Sequence, residues 1–232
     1  MLIDIFSKRR RISIIGCLAQ MNTILFLGST ECTLLAVMAY DRYIAIRFPL
    51  HYTIYMNWRT CKVITVVTWV GHFIYITSPI ILKPLVFCTE NILDHFVCEV
   101  LALLELACGE VTFYKTSIFF GSLFTILTPF VFIIVSYICI IVSILKIHSA
   151  GGRAKAFSTC ASHLTVVFMF YGTSMTMYIG QTKRFSYNLK HVAVFYLVIT
   201  PLLNPLIYSL RNNEVKGAFK TIITKSSASW SR

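Results

Sequence analysis

The chain has 232 residues, of which 57% are hydrophobic and 13% charged, with a formal net charge of +12 and a mean hydropathy of +0.75. Soluble domains average roughly 45–50% apolar and 25% charged residues, so this balance excludes an ordinary soluble domain and indicates a polytopic membrane protein. The basic residues cluster in the connections between apolar runs, which reads as membrane topology and argues against a nucleic-acid partner.

Lys8, Arg9, Arg10 and Arg11 come first. If Met1 is the true start, the positive-inside tendency would hold this cluster in the cytoplasm and invert everything after it. No small-residue cleavage site follows it, so no cleaved signal is expected. Five apolar stretches, 12–39, 63–82, 117–145, 157–180 and 189–210, reach the roughly 20 residues that cross a hydrocarbon core. They are too long, and too apolar on both faces, for barrel strands of about 10 alternating residues. An all-α helix bundle is expected, one domain over 1–232, with spans near 12–46, 58–82, 114–147, 154–181 and 188–210 and a cytoplasmic tail at 211–232.

The first stretch contains Glu31 and ends in Met38-Ala39-Tyr40-Asp41-Arg42-Tyr43-Ile44-Ala45-Ile46. By itself Asp41-Arg42 is compatible with an ordinary helix-end charge pair. On a helix Glu31 lies about 15 Å deeper than Asp41, where an ionisable group must face the bundle interior, a partner or water. A buried, protonated acid and an ion site are both open. Gln20 and Asn22 suit a wet cavity or a bond between helices.

The 42–62 connection carries Arg42, Arg47, Arg59 and Lys62, and the 146–155 connection carries Lys146, Arg153 and Lys155; both belong inside, as does the basic tail. The 83–115 segment carries Glu90, Asp94, Glu99, Glu105 and Glu110 and belongs outside. Its length and lack of periodicity suggest a functional loop. Cys17, Cys88, Cys98 and Cys108 lie on this outer side, where four cysteines can pair in three ways. Their spacing has no C-x-x-C and no close histidine pair, which disfavours zinc, and two disulfides would make the loop a lid. Cys32, Cys61, Cys139 and Cys160 read as small packing residues.

Later in the chain Pro129 precedes Ser136-Tyr137, and Pro201 and Pro205 flank Asn204 one turn before Tyr208. Each proline removes a backbone hydrogen bond and should kink its helix. No G-x-S-x-G, H-E-x-x-H or phosphate-cradling glycine loop occurs, so neither catalysis, a metal nor a cofactor is expected.

Taken together, these motifs resemble the olfactory receptors, a branch of the rhodopsin-like G-protein-coupled receptors. Met38 to Ile46 with Pro49-Leu50-His51-Tyr52 is similar to the family's third-helix signature, and Lys155-Ala156-Phe157-Ser158-Thr159-Cys160-Ala161-Ser162-His163-Leu164 to the start of its sixth helix. Phe170-Tyr171-Gly172-Thr173 continues that helix, Ser136-Tyr137 fits the fifth, and Pro201 through Asn212 resembles the end of the seventh. The match begins near the end of the second helix, so the five stretches correspond to helices three to seven. Arg47 stands where a cysteine is usual, and there is no N-x-[ST] acceptor.

The resemblance implies disulfides Cys17–Cys98 and Cys88–Cys108. It implies a cavity for a small volatile odorant, faced by Ile24, Leu25, Gly28 and Ser29, by Ser122 and Thr125, and by Tyr171, Ser174, Met175 and Tyr178. It further implies that Asp41 restrains Arg42 at rest, and that Arg42 and Tyr43, once released, meet Tyr137 and a stimulatory heterotrimeric G protein. Tyr208 would swing inward as the helix kinked at Asn204 and Pro205 rearranges. Lys146, Arg153 and Lys155 would flank the cytoplasmic opening, in contact with membrane lipid. The implied location is the plasma membrane, N-terminus outside and C-terminus in the cytoplasm. Two other readings are a non-signalling or accessory receptor fragment retained in the endoplasmic reticulum, and a channel or transporter, which would call for an internal repeat that is not evident.

The charge distribution makes orientation testable. A glycosylation acceptor inserted near Asp94 should be modified in microsomes and one near Ser149 should not; the reverse pattern would invert the topology.

Overall fold

The computed structural model describes residues 11–88, 92–179 and 191–203, together with Gly217 and Thr221. Within them the chain is a helical membrane bundle. Helix α1 (Ile14–Arg47) starts where the Ser13 hydroxyl accepts the Gly16 N–H at 3.1 Å and stops just before Phe48-Pro49. A 3-10 turn (Pro49–His51) and one helical turn (Tyr52–Tyr55) lead to α2 (Trp58–Leu82), capped by Asn57 accepting from the Thr60 N–H. A short helix α3 (Val100–Leu106), the long α4 (Thr112–Leu145), α5 (Ala150–Tyr178, capped by Ser149) and α6 (His191–Leu203) follow. By length and composition α1, α2 and α4 can cross a membrane.

Pro129 and Pro201 each leave their helix continuous but widen one of its turns. Residues Leu123–Leu127 of α4 and Phe195–Ile199 of α6 are π turns, closed by the N–H of Thr128 reaching the carbonyl of Leu123 and that of Thr200 reaching Phe195. Pro129 and Pro201 stand immediately afterwards. Lacking an N–H, and with a ring that crowds the carbonyl four residues back, each forces the preceding turn to find a longer bond. The widened turn shifts the phase of every side chain before it relative to those after it.

Helix α1 is central. It packs on α4, α2 and α5, with Ala39, Ile133, Ile140, Ile144, Val166 and Val167 fully buried between them. The outward faces are apolar, as Val63, Val66, Val67, Phe73 and Ile74 of α2 illustrate. Lipid is as apolar as these side chains, so burial does not pull the helices together. Polar ties do part of that work: Asn22 Nδ2 donates to Thr77 Oγ1 at 3.3 Å, Thr33 Oγ1 lies 3.4 Å from His72 Nε2, and Tyr171 Oη donates to the Cys32 carbonyl at 2.8 Å.

One end of the bundle carries a covalently tied lid. Cys17 is bonded to Cys98 and Cys88 to Cys108, with Cα separations of 5.3 and 5.8 Å. Beside the second disulfide, β1 (Val86–Phe87) pairs antiparallel with β2 (Ala107–Cys108), and Gly109 turns the chain out of β2 at φ +82°. Gln20 Oε1 accepts the Cys98 N–H at 3.0 Å, adding a polar tie to α1. Glu99 then caps α3, its Oε2 accepting the N–H groups of Leu101 at 2.8 Å and Ala102 at 3.3 Å.

Glu99 is only 4% exposed, and burial pushes its carboxyl up to about 6 although the capping N–H groups favour the anion. A carboxyl raised above its unfolded value binds its proton more tightly in the folded state. Its stabilising contribution is therefore complete at acid pH and lost as pH rises through about 6. The purified protein should melt at a lower temperature at pH 7 than at pH 5, by the equivalent of about 1 kcal/mol. Glu99→Gln should flatten that dependence.

Candidate functional site

Beneath the lid lies a cavity of about 460 Å³, walled by Met21, Leu25, Gly28, Ser29 and Cys32 of α1, Ser117, Gly121, Ser122, Thr125 and Ile126 of α4, Ser174 and Tyr178 of α5, and Tyr196 of α6. Val100 of the lid, Tyr75, Ser78 and Pro79 of α2, and Phe120 and Phe124 of α4 also contribute to the wall. On α1 the contributing positions recur at the spacing that keeps one helix face toward the interior.

The wall's small hydroxyls share a chemical character. Ser29 donates to the Phe26 carbonyl (3.0 Å), Ser122 to Phe119 (2.9 Å), Thr125 to Gly121 (2.8 Å) and Ser174 to Phe170 (2.8 Å). Each proton is engaged by the residue's own helix, so what these groups offer the cavity is an oxygen lone pair. The space suits a small, mostly apolar molecule placed by shape, with acceptors available for one donor group. At the lid, the Tyr178 hydroxyl lies beside the Glu99 carboxyl, linking the roof to α5.

The opposite end of α1 carries Asp41, Arg42 and Tyr43. Tyr52 Oη donates to Asp41 Oδ1 at 2.7 Å, and that bond holds the Tyr52 phenol above its usual range. Arg42 Nε is buried with no hydrogen-bond partner among the described residues, and the guanidinium is close enough to Cys160 and His163 of α5 to act on both. His163 Nδ1 lies 2.8 Å from Tyr137 Oη, with the two rings stacked at 5.6 Å, which ties α4 to α5. Tyr43 meets Phe48 edge-on at 6.0 Å. Among the described residues no group of three or more His, Cys, Asp or Glu is placed to hold a metal.

Comparison with known proteins is decisive. A family model described as olfactory receptor matches residues 1–226. The chain belongs to the olfactory receptor family. It is 47% identical to olfactory receptor 2B6 of Mus musculus over 229 residues, covering 97% of this chain and 72% of that one. It is 48% identical to olfactory receptor 6Q1 of Homo sapiens over 217 residues, 93% of this chain and 68% of the relative. Olfactory receptor 1M1 of Mus musculus is 46% identical over 227 residues, covering 97% and 72%.

In this olfactory receptor chain, seven residues expected at the ligand cavity share its wall: Leu25, Gly28, Ser29, Ser122, Thr125, Ser174 and Tyr178. Three lie off that wall. Ile24 and Met175 each sit one residue, or 100° of helix, from a wall position and turn away. Tyr171 is fully buried below the cavity, its hydroxyl spent on the Cys32 carbonyl and its ring against Phe130.

Two other expected residues are placed as follows. Asp41 is engaged by Tyr52 and forms no ion pair with Arg42 among the described residues, because the turn after Pro49 brings a phenol to the carboxylate. Glu31 is half-buried rather than buried and lies off the cavity wall, on a side of α1 that its described neighbours only partly cover. It remains near enough to Tyr171 and Tyr196 to act on them electrostatically. Asn204, Pro205 and Tyr208 lie outside the described residues.

Sequence reasoning missed Tyr75, Val100 and Tyr196 at the cavity and Tyr52 and His163 at the other end. Tyr52 and His163 both stood inside recognised motifs and were the legible ones. Tyr196 owes its place to the π turn in α6, and a Cβ at Gly28 would collide with its hydroxyl. Gly28→Ala should therefore overpack the wall and cost about 1–3 kcal/mol, read as a lower melting temperature in micelles. Adding Tyr196→Phe, which deletes the colliding oxygen, should restore most of the loss.

Proposed function

We propose that this chain is an odorant receptor: it binds small volatile ligands in the cavity under the lid and activates a stimulatory heterotrimeric G protein at its Arg42 end. The observation that carries the reading is the cavity itself, closed above by a disulfide-tied lid and walled by four helices of the bundle plus α2, in a chain of this family. In this reading the lid faces outward, the Asp41–Arg42 end and the tail face the cytoplasm, and five helices span the plasma membrane. Lys146, Arg153 and Lys155 lie at the lipid headgroups there.

The ligand acts by binding one arrangement of the bundle better than another. Helices α4 and α5 each have one end at the cavity and the other at the Tyr137–His163 contact, so a ligand that shifts them relative to α1 strains that contact. Parting such a bond costs only about 1 kcal/mol net, well within what differential ligand affinity supplies. Tyr137 would then turn toward Arg42, whose Nε has no acceptor among the described residues. Asp41, held by Tyr52, orients the loop the G protein would contact. Asn204, Pro205 and Tyr208 take part from the last helix. The hydroxyl lone pairs on the wall favour ligands with a single donor, such as aliphatic alcohols.

Expression of the chain tagged at each end, with surface exposure and odorant-evoked cAMP measured together, tests the proposal. Surface protein and a response to some member of an alcohol-rich odorant panel are expected. Leu25→Trp, which fills the cavity, should abolish the response without lowering surface exposure. Intracellular retention and silence, relieved by adding first and second helices from a relative, would instead favour the accessory-fragment reading.

A further inference from the structure

The cavity has a second boundary, toward the side of the bundle. Helix α2 packs on α1 but makes only sparse contact with α4, and several cavity residues along that seam are also open to the outside. Phe120 is 63% exposed, Phe124 73% and Tyr75 43%, yet all three line the cavity. A residue that both lines an internal space and faces outward marks an opening in the wall between them.

The opening has two defined edges. Toward the lid, Tyr114 Oη donates to the carbonyl of Pro79 (3.2 Å) and to that of Lys83, and Lys83 Nζ lies 3.8 Å from Glu110. These contacts fasten α4 to the end of α2. Toward the middle of the bundle, the Tyr75 hydroxyl occupies the notch left by the missing side chain of Gly121, where a Cβ would collide with it. Tyr114 and Gly121 are separated by seven residues, about 10 Å of helical rise. The π turn Leu123–Leu127 starts two residues below Gly121, where the helix is already locally loosened.

We propose that this seam is a lateral portal through which apolar ligands dissolved in the membrane enter the cavity, with Tyr75 as its movable edge. The lid blocks the direct path from water, since it is tied by the Cys17–Cys98 disulfide and the Gln20 contact, with Val100 forming the roof. Small apolar molecules partition from water into hydrocarbon, so they are already concentrated at the height of the seam. Tyr75 rests against Gly121 through a hydroxyl in a notch, with half its ring outside, and swinging it outward into lipid exposes no charge. The portal gives the cavity its route of access and rests on the cavity being the ligand site.

The test measures entry without depending on signalling. The full chain is reconstituted in phosphatidylcholine vesicles preloaded with a ten-carbon alcohol bearing an alkyl diazirine, and adducts on the inner wall around Ser29 and Ile126 are followed by mass spectrometry. In the unaltered chain those residues should be labelled from the bilayer. Tyr75→Trp, which fills the seam, should slow labelling about tenfold, equivalent to a barrier higher by about 1.4 kcal/mol, while Phe124→Ala should hasten it. Inner-wall labelling that is absent, or that ignores both Tyr75→Trp and Phe124→Ala, would overturn the portal. Labelling that persists while ignoring both variants would leave the cavity standing as a ligand site reached by another route. Because Phe124 is on the exposed rim, its variant keeps the question answerable if Tyr75→Trp fails to fold.

Discussion

Hydrogen bonding in a medium without water governs this structure, and α1 is where it concentrates. Apolar helices in lipid gain little by burying apolar surface against one another, whereas a polar group left without a partner in hydrocarbon is costly. Asn22 and Thr33 meet Thr77 and His72 of α2, the Cys32 carbonyl receives Tyr171 of α5, and Gln20 holds the lid at Cys98. Those ties set how α2, α5 and the lid stand around α1, and the cavity is the space they leave. The Cys17–Cys98 disulfide adds a covalent restraint at the lid end of the same helix.

Two devices then shape that space. Prolines cannot stop a helix that has membrane to cross, so Pro129 and Pro201 are absorbed as π turns, and each turn re-aims the cavity residues near it. Glycines accept what the re-aiming brings: Gly28 takes the Tyr196 hydroxyl and Gly121 takes that of Tyr75. In both places a small residue on one helix seats a tyrosine from another. One such pair lies inside the bundle and the other at its lipid-facing seam, which is why the second can act as an edge that moves.

At the far end the arrangement is one of engaged and unengaged partners. Asp41 is bonded to Tyr52 and Tyr137 to His163 Nδ1, while Arg42, between α1 and α5, has its Nε unmatched among the described residues, as is His163 Nε2. A buried donor without an acceptor raises the energy of the arrangement containing it. It therefore favours any rearrangement that supplies one, which gives the cavity end and the Arg42 end of the olfactory receptor chain something to exchange.

Composition and spacing were enough to establish a helical membrane chain, the order of its helices, the acidic loop that becomes the lid, and, through motifs such as Met38 to Ile46, the family. These are local properties: hydropathy, helix length and short residue patterns act within a few turns of the backbone. Many of the side chains that face the cavity were legible, as Leu25, Gly28 and Ser29 were along the regular α1 and Thr125 was even within a π turn. Tyr196 and Tyr75 escaped notice because their positions depend on a π turn and on a notch in another helix. Asp41 found Tyr52 because a proline turn folded the following loop back onto it. Such contacts join residues from separate elements at distances set by how the helices rotate and lean. Only the tertiary structure decides that rotation, because in lipid it is chosen by a few polar ties and close approaches rather than by the apolar pattern itself.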